Sequence, residues 1–533
     1  MRWNFRAFPD RRDDGPWQYV AFAIAALLSC TLFIVRWNSE VNWDGVVYLQ
    51  SAREFALGRY AEGVAGYGKF PFYSLLISLL QPAISDWVVT GRAISLFCML
   101  MAVFPLYRLT RDMFGHSPAF WAILTFALLP NTLLYSVMVI RDPPFFLLFL
   151  WGLYFAQKTL TSRRVAHLLT AVSFVVASGL FRAEGLFFLV LFLITLAVTA
   201  VLRPKERGTY LRLVWSWMAL AAIAIILLLI SMGFSEGFYS QAVAWAGSFD
   251  EYFKIDFLAN YKRIAAELQR IDDATRHSIV GQHFAGTAKR FMPVIFLLGV
   301  LQMVIQAILP INLVPLIWGI KRSSWDLRHT LVIGTVVVFL GVLYVFFVLY
   351  DFILIRYFYL PAVLLCPWVG AGVNMFLRRA STMRFGGLWV TAVVAALIAV
   401  PALGFDKHFK NKDDLAVQAG VWIAGQGGFR GIRAVFSDPV VAFHADRVIR
   451  FDGEGDTVWY PDIDDQTFAR VERFASERNA GIVVLYLRSE RRARLHPFQR
   501  YTLLREFTQD GRHVLVFSGP GPHGSVGLPS PGS

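Results

Sequence analysis

The stretch VMVIRDPPFFLLFLWGLYFAQK, residues 137–158, decides the fold. An apolar run enters Arg141-Asp142, two prolines follow, and a second apolar run begins at once. A single pair of charges between two such runs leaves room only for the tight turn of a helical hairpin. The same pattern recurs at GLFRAEGLFF, residues 179–188, where Arg182 and Glu184 separate two further runs. A hydrocarbon core of about 30 Å takes roughly 20 apolar residues in a helix, and about eleven runs approach that length. They lie near 17–35, 87–107, 118–138, 143–157, 165–181, 184–202, 212–232, 291–319, 329–350, 356–377 and 386–403, with 143–157 short for a span.

Composition agrees. The 533 residues are 56% hydrophobic and 17% charged, with mean hydropathy +0.52. A soluble surface of that size needs roughly a quarter charged residues, so a soluble enzyme is excluded. With 47 Phe and 16 Trp, a disordered chain is excluded too. The net charge of +14 raises nucleic-acid binding, so the location of the charge matters. With a cytoplasmic N-terminus, alternate loops fall at 108–111, 158–164, 203–212, 321–328 and 378–384. Those loops and the N-terminal arm hold nearly all the excess Lys and Arg, as the positive-inside rule expects. The basic character therefore reports topology, and nucleic acid is not an expected partner. An odd number of spans sends the C-terminal segment to the extracytoplasmic side. No small-x-small cleavage site follows the first run, which reads as a retained anchor. Cys30, Cys98 and Cys366 all fall in apolar runs and imply no disulfide framework.

The expected architecture is an all-α polytopic membrane domain over 1–403, then a small extracytoplasmic α/β domain over 404–517 and a disordered Gly/Pro/Ser-rich tail over 518–533. Two outer loops, 36–86 and 233–290, read as interfacial helices rich in aromatic residues. Within 36–86, a short amphipathic helix begins near Asp44, and the apolar stretch 72–84 is too short to span. In the tail domain, AVFSDPVVAFHA (434–445) reads as a strand running into a helix. FARVERFASERNAGIVVLYL (468–487) reads as a helix and a buried strand, and HVLVFS (513–518) as a last strand.

There is no Walker loop, Rossmann glycine fingerprint, HExxH or GxSxG. The informative residues are ionisable groups at the outer ends of the spans, where charge is costly and points to function. Asp44 suits either a general base or a helix N-cap. Arg141-Asp142 suits either a phosphate-binding guanidinium with a second carboxylate, or a polar turn whose Asp caps the helix at Pro143-Pro144. Arg182 with Glu184, and Arg356-Tyr357, invite the same choice between a site and a local ion pair. Lys69 and Arg92 are further outer bases. Such bases converging beside two or three carboxylates suit an anionic lipid-phosphate headgroup. His277, His283 and His444 lack a third ligand at metal spacing, so they read as surface histidines; a divalent ion at Asp44 and Asp142 stays open.

Several motifs now stand in order: WDGVVYLQSAREFALGRY, GKFPFYSLLISLL, GRAISLFCML, IRDPPFFLLFLWGLYF, GLFRAEGLFF and IRYFYLPAVLL. In that order and topology the chain resembles the GT-C superfamily of membrane glycosyltransferases over about 17–403. The resemblance is to the branch of protein O-mannosyltransferases and the lipid A aminoarabinose transferase. It implies an integral protein of a bacterial inner membrane that moves a sugar from a polyprenyl phosphate to a glycan, lipid or protein acceptor. Transfer would occur on the extracytoplasmic face, with inversion. It places Asp44 at the first-loop acidic position and Asp142 at the second, although Arg-Asp-Pro-Pro departs from the usual acid followed by an apolar helix. It makes Lys69, Arg92, Arg141, Arg182, Glu184, Arg356 and Tyr357 the donor-binding set. No nucleotide cofactor is implied. A transporter or flippase of a lipid-linked saccharide, or a glycan polymerase or ligase, would share the multi-span layout. Neither paired broken helices nor mid-span charges are evident, which favours the transferase over the transporter.

Overall fold

A computed structural model describes residues 17–35, 41–65, 71–234, 259–274, 279–350, 354–381, 414–426, 429, 432–447, 465–487, 498, 500–509 and 511–519, with isolated residues between 391 and 399. The described chain divides into two compact units. The first falls within Met1–Phe33, Ile94–Val137 and Arg141–His408, and the second within Ile34–Ala93, Met138–Ile140 and Phe409–Ser533.

The first unit is helical. Helix α1 is Trp17–Val35. The loop-1 helices α2 (Trp43–Ala56), α3 (Tyr60–Ala65) and α4 (Phe72–Ile84) belong to the second unit. Helix α5, Trp87–Phe114, starts in the second unit and continues into the first. Then follow α6 (His116–Leu128), α7 (Pro130–Val137), α8 (Asp142–Ser162), α9 (Val165–Gly179), α10 (Phe187–Leu202) and α11 (Arg207–Phe234). After them come α12 (Ala259–Ala274), α13 (Ile279–Ile308), α14 (Leu313–Arg322), α15 (Leu327–Tyr350) and α16 (Tyr359–Ser381).

Among the described residues five helices are long and apolar enough to cross a membrane, or six if one bent pair counts as a span. The chain is thus an integral membrane protein, and the expected eleven spans are not reached in this count; the eleventh run, 386–403, lies largely outside the described residues. Two expected spans are broken. The run 118–138 bends by 61° between α6 and α7. Pro130 has no N–H to continue the ladder and holds Leu129 extended, while the Thr132 hydroxyl takes up the Phe126 carbonyl. The run 291–319 ends its first helix at Ile308, because Leu309 turns left-handed (φ 68°) before Pro310, and α14 starts afresh. The short run 143–157 lengthens to the 21 residues of α8 once Asp142 and the polar residues up to Ser162 are counted.

The second unit joins α2, α3, α4 and the segment 138–140 with a C-terminal α/β layer. Helix α17 is Asp414–Gly425, and strand β1, Ala434–Phe436, runs into α18, Pro439–His444. Asp438 caps α18 by accepting from the Val440 and Val441 N–H groups. Helix α19 (Asp465–Glu477) and strands β2 (Ile482–Leu487), β3 (Thr502–Gln509) and β4 (Arg512–Ser518) complete it. The strand order is β1-β2-β4-β3, with β1 parallel to β2 and the other pairs antiparallel. Val435, Val471, Ala475, Val483, Leu485, Leu515 and Phe517 form its core. The strand and helix expectations at 434–445, 468–487 and 513–518 hold. Strand β3 and helix α17 were not expected. As an edge strand exposed at most positions, β3 carries no apolar run to announce it. The tail after 519 lies outside the described residues.

Candidate functional site

In the first unit the turns before α8, before α10 and before α16 converge. Helix α8 opens at Asp142, with Pro143 and Pro144 pre-setting its first turn and Arg141 at the N-cap position. The Asp142 carboxylate is therefore inside the helix and makes no cap bond, so the capping turn, one of the two readings of Arg141-Asp142, is not what forms. It accepts instead from the Arg182 guanidinium, which lies in the turn after α9. From its other side Arg182 donates to Glu184 Oε1 at 2.9 Å, within the 3-10 turn Ala183–Leu186. The Asp142 and Arg182 side chains keep only 5% and 11% of their exposure. Two carboxylates thus grip one buried guanidinium and fix the direction of its remaining N–H groups.

Aromatic rings wall this grip. Arg182 stacks over Phe145 at 5.8 Å and over Tyr357 at 5.4 Å. Arg356, in the 3-10 turn Ile355–Phe358, stacks over Tyr357 at 5.2 Å and donates to its hydroxyl at 3.3 Å. Arg141 is within electrostatic reach of Glu184. Arg141, Asp142, Arg182, Glu184, Arg356 and Tyr357 are accordingly one cluster, of three guanidiniums against two carboxylates.

The cluster includes a residue the sequence reading missed. Tyr135, on α7 and 3% exposed, interacts with Asp142, Arg182, Arg356 and Tyr357 and meets the Tyr359 ring edge-on at 5.2 Å. A tyrosine in an apolar run carries no signal of its own. The usable hint was Pro130, whose bend turns α7 towards the charged turn that follows it.

Asp44 and Arg92 belong to the second unit. The N-cap position of α2 is Asn42, and Asp44 sits in the helix's first turn, where the N-terminal dipole favours a carboxylate. Asp44 is thus not the cap residue. Arg92 is 4% exposed, near the start of α5. Its charge adds to burial in pushing the His444 imidazole down to about 4, so His444 is neutral at ordinary pH. His444 is therefore half-buried beside a cation, not a surface histidine as expected. Beside it, Arg53 of α2 stacks over Phe443 of α18 at 5.1 Å and reaches Asp446 at 3.5 Å. Lys69 and His277 lie outside the described residues.

The donor set decides what the first-unit cluster can hold. Both of its carboxylates are engaged with Arg182, and guanidiniums outnumber them, so it does not fit a cation. Among the described residues no group of three or more His, Cys, Asp or Glu side chains is placed to hold a metal ion. Planar forks against a buried aromatic wall fit an oxyanion such as a phosphate monoester or diester.

No family model and no curated protein matches the sequence. Solved structures do match the fold. An oligosaccharyltransferase of Archaeoglobus fulgidus, in complex with Zn and sulfate, aligns with 94% of this chain and 73% of its own at 14% identity and TM-score 0.55. ArnT from Cupriavidus metallidurans bound to undecaprenyl phosphate aligns with 95% of this chain and 99% of its own at 15% identity and TM-score 0.53. AglB of Archaeoglobus fulgidus, with an inhibitory peptide and a dolichol-phosphate, aligns over 88% and 69% at 12% identity and TM-score 0.53. The chain shares its fold with these solved structures.

Proposed function

We propose that this protein is a membrane glycosyltransferase that moves a sugar from a polyprenyl-phosphate donor to a hydroxyl or amine acceptor, with inversion, on the extracytoplasmic face. The observation that carries this reading is the buried Arg182 gripped by Asp142 and Glu184, with Arg141 and Arg356 beside it. That is an oxyanion receptor at the ends of apolar helices, suited to a lipid phosphate. Two of the solved structures that share the fold are described with a polyprenyl phosphate, undecaprenyl phosphate in one and dolichol-phosphate in the other.

The chemistry follows from charge. The acceptor heteroatom attacks the anomeric carbon as the bond from that carbon to the phosphate oxygen breaks. Negative charge grows on the departing polyprenyl phosphate, and preorganised guanidiniums stabilise it more in the transition state than in the ground state. The acceptor proton passes to a carboxylate, for which the reading assigns Asp44. Products are the glycosylated acceptor and a polyprenyl phosphate monoester, so no nucleotide is consumed. Arg92 and Lys69 remain candidates for the donor-binding set.

The test is transfer from a defined polyprenyl-phosphate sugar by the full chain in detergent, wild type against Asp44→Asn. Loss of about a hundredfold or more in kcat is expected of a general base. Full activity in Asp44→Asn removes that assignment. A wild type that leaves the lipid-linked sugar chemically unchanged, but moves it across a proteoliposome bilayer, replaces the transferase reading with a flippase.

A further inference from the structure

The segment Met138–Val139–Ile140 joins α7 to the Arg141-Asp142 turn and packs in the second unit, with the loop-1 helices. Two loop-1 side chains hold it. Asn42 donates through Nδ2 to the Val139 carbonyl at 3.0 Å, and the Val139 N–H donates back to Asn42 Oδ1 at 3.1 Å. The amide side chain therefore pairs with this residue as a neighbouring strand would. The Ile140 N–H donates to the Tyr73 hydroxyl at 3.1 Å, and that hydroxyl donates to the Gly91 carbonyl at 2.9 Å. Tyr73 and Val139 are 0% exposed and Ile140 1%, so these backbone groups have no water to fall back on.

Two details make this more than ordinary packing. Asn42 occupies the N-cap position of α2, where an Asn side chain normally bonds its own helix, yet it makes no cap bond. Its amide is committed to a peptide 97 residues away. The contact is also too close for side chains on the helices beneath. A Cβ on Gly45 would stand 2.9 Å from Val139 Cβ, and one on Gly91 would stand 2.8 Å from Val139 Cγ1. The first turn of α2 and the start of α5 are thus both cut away to receive Val139.

We infer that Asn42 and Tyr73 are positioning residues for the transfer reaction: Asn42 locks Val139 onto the start of α2, whose first turn carries Asp44, and Tyr73 locks Ile140 onto α4. Arg141 and Asp142 are the next two residues of the chain, so the lock holds the peptide that leads directly into the phosphate-binding turn. This rests on the proposed glycosyl transfer. Displacements on the order of 1 Å in a reacting group cost rate far more than they cost binding, so the inference predicts a selective effect.

The experiment uses the full chain in detergent with Tyr73→Phe, Asn42→Asp and Asn42→Ala. Tyr73→Phe keeps the ring and removes both hydroxyl bonds, and Asn42→Asp keeps the acceptor oxygen but loses the donor. Tyr73→Phe guards against loss of folding in Asn42→Ala, with thermal melting as the control. Hydrogen exchange at the Ile140 amide in Tyr73→Phe, and at Val139 in Asn42→Ala, reads the lock directly. In the same variants kcat and the donor KM are measured with a polyprenyl-phosphate sugar. Expected are faster exchange and a fall in kcat of about tenfold to a hundredfold, with the donor KM within about twofold of wild type. Unchanged exchange overturns the lock. Faster exchange with wild-type kcat overturns the positioning role and leaves a structural contact. A wild type inert towards lipid-linked sugars overturns the proposed function instead, and the exchange measurement still decides whether the lock exists.

Discussion

The two ends of α8 carry clusters of acidic and basic side chains built on opposite plans. Asp142 and Lys158 stand 16 residues apart, about 24 Å along a helix. At the Asp142 end one guanidinium is shared by two carboxylates, and both Arg182 and Asp142 are nearly out of reach of solvent. At the Lys158 end single carboxylates are each shared by two basic side chains. Asp112 takes Lys158 at 2.7 Å and Arg111 at 3.2 Å, while Asp326 takes His329 and Arg328, both at 2.7 Å. Arg328 also donates to the Asp112 carbonyl, closing a staple across α5, α8 and α15. Lys158, Arg111 and Arg328 keep about a third of their side-chain exposure, at 31–32%. Partly exposed pairs of this kind are inexpensive and contribute modestly. A buried pair costs several kcal/mol of desolvation per ion and is often no more stabilising than apolar packing. The difference teaches that burial, rather than charge count, separates a candidate site from a staple.

The sharpest way to break this contrast is at Arg182. Arg182→Lys keeps the charge but loses the planar fork, and is expected to lower sugar transfer by about tenfold to a hundredfold with little change in melting. Arg182→Gln is expected to cost about a thousandfold, as a lost oxyanion donor does. It also strands two carboxylates, at about 3–5 kcal/mol of stability, which makes the lysine variant the cleaner reporter. Wild-type turnover in Arg182→Lys would make the buried end another staple. A smaller effect is expected from Glu184→Gln, because Glu184 is the more exposed arm of the grip, at 37%. Transfer should fall by about threefold to tenfold, read as kcat/KM for the donor. A loss equal to that of Arg182→Lys would show that both arms are equally needed to aim the guanidinium.

What was legible in the sequence follows the same physics. Arg141-Asp142 and Arg182 to Glu184 stood out because charges interrupting apolar runs can only be turns or sites. Arg356-Tyr357 stood out at the mouth of a run for the same reason, and all of them meet in space. The bends at Pro130 and Leu309-Pro310 were written in the prolines but hidden by unbroken hydropathy, which sums over a window and ignores backbone geometry. Tyr135 was silent because a tyrosine within an apolar stretch is ordinary. Asn42 was silent too: nothing in its neighbourhood in the sequence shows that its amide bonds Val139 rather than its own helix. Periodicity and charge carry short-range information, whereas pairings 67 or 97 residues apart do not.

The smallest effect, and the one that tests the staple end by itself, is at Asp326. Partial burial alone would raise its carboxyl, but hydrogen bonds from the His329 ring, the Arg328 guanidinium and the His329 N–H hold it well below the ordinary range. The folded state therefore prefers the ionised carboxylate more than the unfolded chain does. Its contribution is fully present above the unfolded value of about 4 and fades as pH falls through and below it. Asp326 is 37% exposed, so after discounting for solvent screening the contribution is about 0.5–1 kcal/mol. Asp326→Asn should melt slightly below wild type at pH 7, and the gap should narrow as pH falls below about 4 towards the depressed folded value. Transfer at pH 7 should stay within about twofold of wild type, since this carboxylate joins helices rather than holding a ligand. A gap that does not narrow at all below about pH 4 would show that Asp326 acts through packing or capping of α15. A large loss of transfer with unchanged melting would show that both ends of α8 serve the reaction, and the contrast between them would fall.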